Sequence, residues 1–432
     1  PSVSLDKILA PLANNGGLTQ THALVAGSPA IDAGAPDSTL TTDQRGGQRG
    51  TGGINSGSRI DIGAYEVTSS SLVTRTDDDI NAGSLRSAIN FTNGNVNPVT
   101  GSADNIVLFD TNGVFGNPQT ISLTQGKLTL NNTQGTTTIQ GTGKDKLTIS
   151  GAGNWSVFSN ELGASAILQD LTVTQGRFSG IANNGGTLTV NNSNISGNFS
   201  PKPFEASNGI ANFSGTLTVN DSNINGNSGS GISNYRGTST VNNSNISGNS
   251  DSAFSNIGGI LNVNNVTASN NSRRGIFSFG TLRVSNSNIS NNSETGIFVA
   301  SGTLAVDNSI ISNNSGRGIF VASGTLAVDK STISNNSGSG IFVNSGNTLV
   351  NKSTISHNIS STQGGGIFNS FGTLTISNSN INSNTSSIGA GIMSIGTLTI
   401  SDSAIDNNIS SYYGGGIYHS GNDLKISNST IS

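Results

Sequence analysis

Few residues in this 432-residue chain could do chemistry. There is no cysteine, which excludes disulfides, thiol catalysis and thiolate metal sites. The histidines are His22, His357 and His419. General acid–base work needs titratable groups gathered within hydrogen-bond reach of one reacting bond. The second half of the chain offers scattered acids: Asp221, Asp307, Asp329, Asp402 and Asp406. Asp307 and Asp329 stand 22 residues apart in nearly identical stretches, so a repeating fold would set them side by side. No base or arginine is expected to accompany them. A denser cluster precedes them: Asp32, Asp43, Arg45, Arg59, Asp61 and Glu66. Those carboxylates could take calcium or pair with the arginines. The D-x-D-x-D-G loop spacing of a calcium site is missing, so a salt-bridged structural cluster is the preferred reading, and calcium is the one cofactor left open. Asp77-Asp78-Asp79 reads as a solvated turn.

Two further rows could make contacts. Phe277, Phe298, Phe320, Phe342, Phe368 and Tyr418 each follow the isoleucine of a G-I-F or G-I-Y phrase, with Met393 in the same register. Alternation along a strand points them outward as a candidate contact stripe for lateral packing or sugar. Stacking of the rings on one another accounts for most of that area. The second row is the Thr-x-Thr pairs, among them Thr187/Thr189, Thr216/Thr218 and Thr373/Thr375. Arg283, Ala305, Ala327 and Val350 break that array. β-Propensity explains it better than a flat ice-binding face does.

The elements that position these rows are set by a repeat. Phrases such as GTLTVNNSNISGN at Gly186 and GTLAVDNSIISNNSGRGIFVAS at Gly302 recur in steps of 29, 22, 22, 21, 22, 22, 22, 26, 24 and 25 residues. A fixed period of this length means stacked units. In the unit from Gly302, Leu304 and Val306 alternate with Thr303 and Ala305; Ser309 with Ile311 and Ile319 with Val321 make two more inward pairs. Asp307-Asn308 and Asn313-Asn314-Ser315-Gly316 supply turns. Three short strands and three turns describe one coil of a parallel β-helix. The helix-bearing leucine-rich repeat and the calcium-binding nonapeptide repeat are both excluded by pattern. Coils would stack about 4.8 Å apart. Inward Leu, Val and Ile would each contribute roughly 1.5–3 kcal/mol, and inward Asn would form hydrogen-bonded ladders. A charge repeated in every coil would face itself, which fits a charged content of 10%.

The chain divides into residues 1–66, 67–185 and 186–432. AGSLRSAIN reads as a short helix after Ser84, with Leu85, Ala88 and Ile89 on one side, covering an open apolar end. The net charge of −4 gives no phosphate-binding surface, so no nucleic-acid partner is expected. No apolar run is long enough for a transmembrane segment.

THALVAGSPAIDAG, TTDQRG and DIGAYE resemble the choice-of-anchor Q segment of bacterial secreted β-helix proteins. AGSLRSAIN, NIVLFD and ISLTQGKLTL are similar to the start of the β-helix in the same group. GGGIFNS at Gly364 and GGGIYHS at Gly414 are similar to the repeats of chlamydial polymorphic outer-membrane proteins. The resemblance implies an all-β, right-handed parallel β-helix (solenoid) with coils of about 22 residues, export to the bacterial surface, and no established catalytic residues. In that group the anchor-Q segment closes a unit, whereas here it comes first. Residues 1–66 are therefore expected to complete a neighbouring unit, and the coils to end uncapped.

Four expectations follow. The chain is an extracellular structural or adhesive solenoid, a section of a filament assembled head to tail from copies of itself through Val3, Leu5, Ile426 and Ile431. Cell-surface polysaccharide is a second partner. The chain is not an enzyme, because the motifs of polygalacturonases and pectate lyases are absent. The alternative is a carbohydrate-binding or polysaccharide-cleaving β-helix protein.

Overall fold

In the computed structural model the chain forms two compact units, Pro1–Ile210 with Gly215–Leu217, and Ala211–Ser214 with Thr218–Ser432. The structure describes residues 4–13, 19–25, 28–30, 33–35, 40, 42–45, 49, 60–66, 71–94, 105–200, 207–421 and 423–432. The fold is a right-handed parallel β-helix, with one α-helix among the described residues.

In the first unit, Gln119–Ser122, Leu147–Ser150, Thr172–Thr174 and Asn194–Ser196 pair in parallel, one coil to the next. The helix Leu85–Gly94 packs on the first strands, with Leu85, Ala88 and Ile89 buried. Ala23, Leu24, Ala30 and Tyr65 share an apolar cluster with Leu72 and Leu108. These four residues of the early segment are thus buried with the start of the coils, while Leu5, Leu12, Leu40 and Ile62 stay exposed.

Asp78 departs from the solvated turn expected of its run. Its side chain is fully buried, and Arg86, on the helix, donates to it through Nε at 2.7 Å and Nη2 at 3.1 Å. The backbone N–H groups of Thr124 and Gln125 also donate, at 2.6 and 2.9 Å. Burial alone would push the Asp78 carboxyl up. The bonds from Arg86, Gln125 and Thr124 outweigh it and hold the group below the usual carboxylate range.

In the second unit the repeat is regular. Ile319 pairs with Ile341 and Val321 with Val343, a coil of 22 residues. Leu304, Val306, Ser309, Ile311, Ile319 and Val321 all point inward and are buried. Two of the three expected strands frequently fuse: Ile297–Asp307 is one strand of 11 residues. Glycine makes the fusion workable. Gly302, Gly324 and Gly346 hold φ of +116°, +128° and +119°, a region side chains rarely adopt. A Cβ on Gly302 would also collide with the carbonyl oxygen of Gly280 in the previous coil. This is why the repeated phrase opens on glycine.

The turns after the strands rely on Asn, with φ of +46° at Asn308 and +55° at Asn313. The next residue, Asn314, faces inward and is 1% exposed. Its Nδ2 donates to Oδ1 of Asn336 at 3.0 Å, and Asn292 donates to it in the same way. The ladder runs from Asn227 through Asn249, Asn271 and so on to Asn408.

Candidate functional site

The outward face of the long strands in the second unit carries three columns. The first is Thr281, Thr303, Thr325, Asn347 and Thr373; the second is Asn262, Arg283, Ala305, Ala327, Leu349 and Thr375. The third is Asn264, Ser285, Asp307, Asp329, Asn351 and Ser377. In the second column two alanines sit between the longer side chains of Arg283 and Leu349. The result is a groove of about 720 Å³ lined by the first two columns. Its floor is apolar at Ala305 and Ala327, and one wall carries the hydroxyls of Thr281, Thr303 and Thr325. It crosses six strands, about 24 Å at the usual strand spacing.

The sequence places Val350 as the residue that breaks the threonine array, and the structure corrects this. Ala327 pairs with Leu349, which is 46% exposed, while Val350 is buried. Asn347 takes the threonine position, so Thr348 falls on the inward leucine position opposite Leu326. Thr348 is 3% exposed, and its Oγ1 has no hydrogen-bond partner among the described residues.

Asp307 and Asp329 do stand in register, one coil apart on the same outward face as the groove. The structure adds a cation to the pair. Lys330 in the following turn lies 3.0 Å from Asp329, and Asn351 donates to the same carboxylate at 2.6 Å. The bonds from Lys330 and Asn351 hold the Asp329 carboxyl below its ordinary range. Lys330 in turn is raised by Asp329 and then by Asp307. Arg283 stands on the adjacent coil, diagonal to Asp307. Both cations escape a reading along the chain, because Lys330 is hidden in a turn and Arg283 looks like a mere interruption. Of the histidines, none lines the groove.

The aromatic row stacks on itself. Ring centroids of Phe277, Phe298, Phe320, Phe342 and Phe368 are 5.5, 4.9, 4.9 and 4.7 Å apart in succession. These rings are half-buried. Arg274 lies over Phe277 and Phe298, and Arg317 over Phe320 and Phe342. Below them Met393 is 5% exposed, and Tyr418 lies 6.4 Å from Tyr413.

The early charged cluster is spent on internal pairs. Arg45 donates to Asp43 at 2.7 Å and lies 3.5 Å from the centre of the Tyr65 ring. Arg49 pairs with Glu66 at 3.1 Å, and Glu66 also accepts the Asp61 N–H at 2.9 Å. Asp43, Asp61 and Glu66 are buried. Asp32 and Arg59 lie outside the described residues, as does Val3. Among the described residues no group of three or more acids or histidines is placed to hold a metal. Leu5 is 67% exposed, Ile426 41% and Ile431 45%. No helix among the described residues is long and apolar enough to cross a membrane.

Comparison with known proteins gives the class. Residues 275–431 match the family model described as right handed beta helix region. No curated protein matches the chain. Among solved structures, the catalytic unit of a thermostable GH87 α-1,3-glucanase from Streptomyces thermodiastaticus is similar at 14% identity and a TM-score of 0.46, over 86% of this chain and 71% of that one. A mannuronan C-5 epimerase A-module from Azotobacter vinelandii is similar at 13% identity and a TM-score of 0.37, over 73% and 91%. A periplasmic alginate epimerase is similar at 12% and 0.41, over 74% and 86%. At such identities the likeness is one of fold. The expectation that the chain is not an enzyme is not upheld: these three solved structures are of enzymes.

Proposed function

We propose that this chain is a polysaccharide-acting β-helix protein that works outside the cytoplasm. It holds an extended sugar chain along the groove and acts on it at Asp307 and Asp329. The groove carries this reading: a trough of about 720 Å³ with an alanine floor and a threonine wall. An apolar floor suits the C–H faces of sugar rings, and hydroxyls and amides along the wall suit their hydroxyl groups. Its length across successive coils suits a polymer better than a small molecule. Asp329 is kept ionised by Lys330 and Asn351, as a base or a charge-stabilising carboxylate must be. Asp307 beside it is the second carboxyl of the pair. The ground for export is the resemblance of the phrases THALVAGSPAIDAG, TTDQRG, DIGAYE and AGSLRSAIN to secreted β-helix proteins.

The test is glycan binding and turnover by the purified chain. Ala327→Trp fills the floor and should weaken glycan binding at least about tenfold. The pair Asp307→Asn and Asp329→Asn should leave binding in place and abolish release of new chain ends. Unchanged binding in Ala327→Trp would remove the groove from the reading. Binding without turnover in the unsubstituted chain would reduce the protein to a binding module.

A further inference from the structure

Two arginines occupy the same position of the repeat. Arg274-Gly275-Ile276-Phe277 and Arg317-Gly318-Ile319-Phe320 are two coils apart. Each guanidinium lies over its own phenylalanine and that of the next coil. The distances are 5.4 and 4.9 Å for Arg274, and 4.8 and 4.6 Å for Arg317. Their partners differ. Glu294, in the coil after Arg274, forms an ion pair with it, its carboxylate 3.2 Å from Nε. In the coil after Arg317 the corresponding residue is Gly338. It packs so close that a Cβ there would stand 3.0 Å from Cγ of Arg317. Among the described residues no oxygen accepts a hydrogen bond from Arg317 and no carboxylate pairs with it. Burial without such a partner pushes the Arg317 guanidinium below its ordinary value.

A half-buried guanidinium with its face on a ring still has five N–H donors in its plane. Those donors match the paired oxygens of a carboxylate or sulfate. The half-buried edges of the stacked rings beside it give the C–H groups of a sugar an apolar surface to lie against. We propose that Arg317, on the Phe320–Phe342 pair, binds an oxyanion carried by an acidic saccharide. This deepens the reading of the chain as a polysaccharide-acting protein and rests on it. Arg274 is the built-in control, because Glu294 already fills the place of the oxyanion.

The experiment measures binding of the full chain to uncharged, carboxylate-bearing and sulfate-bearing oligosaccharides of equal length. The unsubstituted chain should prefer one charged series over the uncharged one by about tenfold or more. Arg317→Gln should abolish the preference, Arg317→Lys should recover only part of it, and Arg274→Gln should leave it intact. Should Arg317→Gln fail to fold, competition with free glucuronate or sulfate on the unsubstituted chain takes its place; displacement of the charged oligomer supports the site, and no displacement overturns it. Equal binding of charged and uncharged oligomers, or equal losses in Arg274→Gln and Arg317→Gln, would overturn the proposal while leaving the groove reading standing. Binding of no oligomer would overturn both.

Discussion

The inward asparagine ladder and the outward face of the same coils are built from one repeat and behave oppositely. Inside, Asn249, Asn271, Asn292, Asn314, Asn336 and Asn358 are unvaried, because each one completes the hydrogen bonds of its neighbour. Outside, the equivalent residues of successive coils change from arginine to alanine to leucine to threonine. Nothing in the stacking requires them to agree. The groove exists because the outward column is free to carry small residues at Ala305 and Ala327. Uniformity therefore marks what holds the coils together, and variation marks what they present.

The sharpest way to break this contrast is Asn314→Leu. Asn314 Oδ1 accepts from both the backbone N–H and Nδ2 of Asn292, and its own Nδ2 donates to Ile289 O and Asn336 Oδ1. Leucine leaves several of these buried groups unsatisfied, at about 3–5 kcal/mol in total. Urea unfolding should show the loss. On the outward face of the neighbouring coil, Thr325→Val should change stability by no more than about 0.5 kcal/mol.

A second change sharpens the contrast by restoring the repeat where it slips. Thr348 buries an unpartnered hydroxyl on the inward side and Leu349 exposes an apolar side chain on the other. Exchanging them for the residues of the preceding coil, Thr348→Leu with Leu349→Ala, should stabilise the chain by about 1–3 kcal/mol. The same double substitution lengthens the alanine floor by one coil. Calorimetry should report the stability, and glycan titration should report tighter binding of longer oligomers than of short ones.

The inward half of this architecture was legible along the chain because it repeats. Leu304, Val306, Ile319 and the Asn turns declare themselves by recurrence at one spacing. The groove was not legible. It arises between residues some 22 positions apart, and its key members, Arg283, Ala305 and Ala327, register in the sequence only as faults in a threonine pattern. Val350 misled because the slip at Asn347 moves side chains to opposite faces without changing the coil length. Asp78 misled for a related reason: its partners Arg86, Thr124 and Gln125 are 8, 46 and 47 residues away.

Asp78 and Asp79 repeat the inside–outside contrast within the first unit, with the smallest expected effect. Hydrogen bonds, first from Arg75, hold the Asp79 carboxyl down to about 2, yet both partners stand partly in water. Solvent screens such a pair, so Asp79→Asn should leave the melting temperature nearly unchanged. Asp78 is buried and closes the helix Leu85–Gly94 onto Thr124 and Gln125, so Asp78→Asn should cost about 1–2 kcal/mol. The pH dependence has a definite sign. A carboxyl whose folded value lies below its unfolded value adds stability above the unfolded value, near 3.9, and loses it as pH falls through the folded value. Melting curves between about pH 5 and pH 2 should therefore fall less steeply in Asp78→Asn than in the unsubstituted chain. A variant that falls just as steeply would move the acid-sensitive contact elsewhere, and Asp79→Asn in the same series would show whether the exposed neighbour carries it.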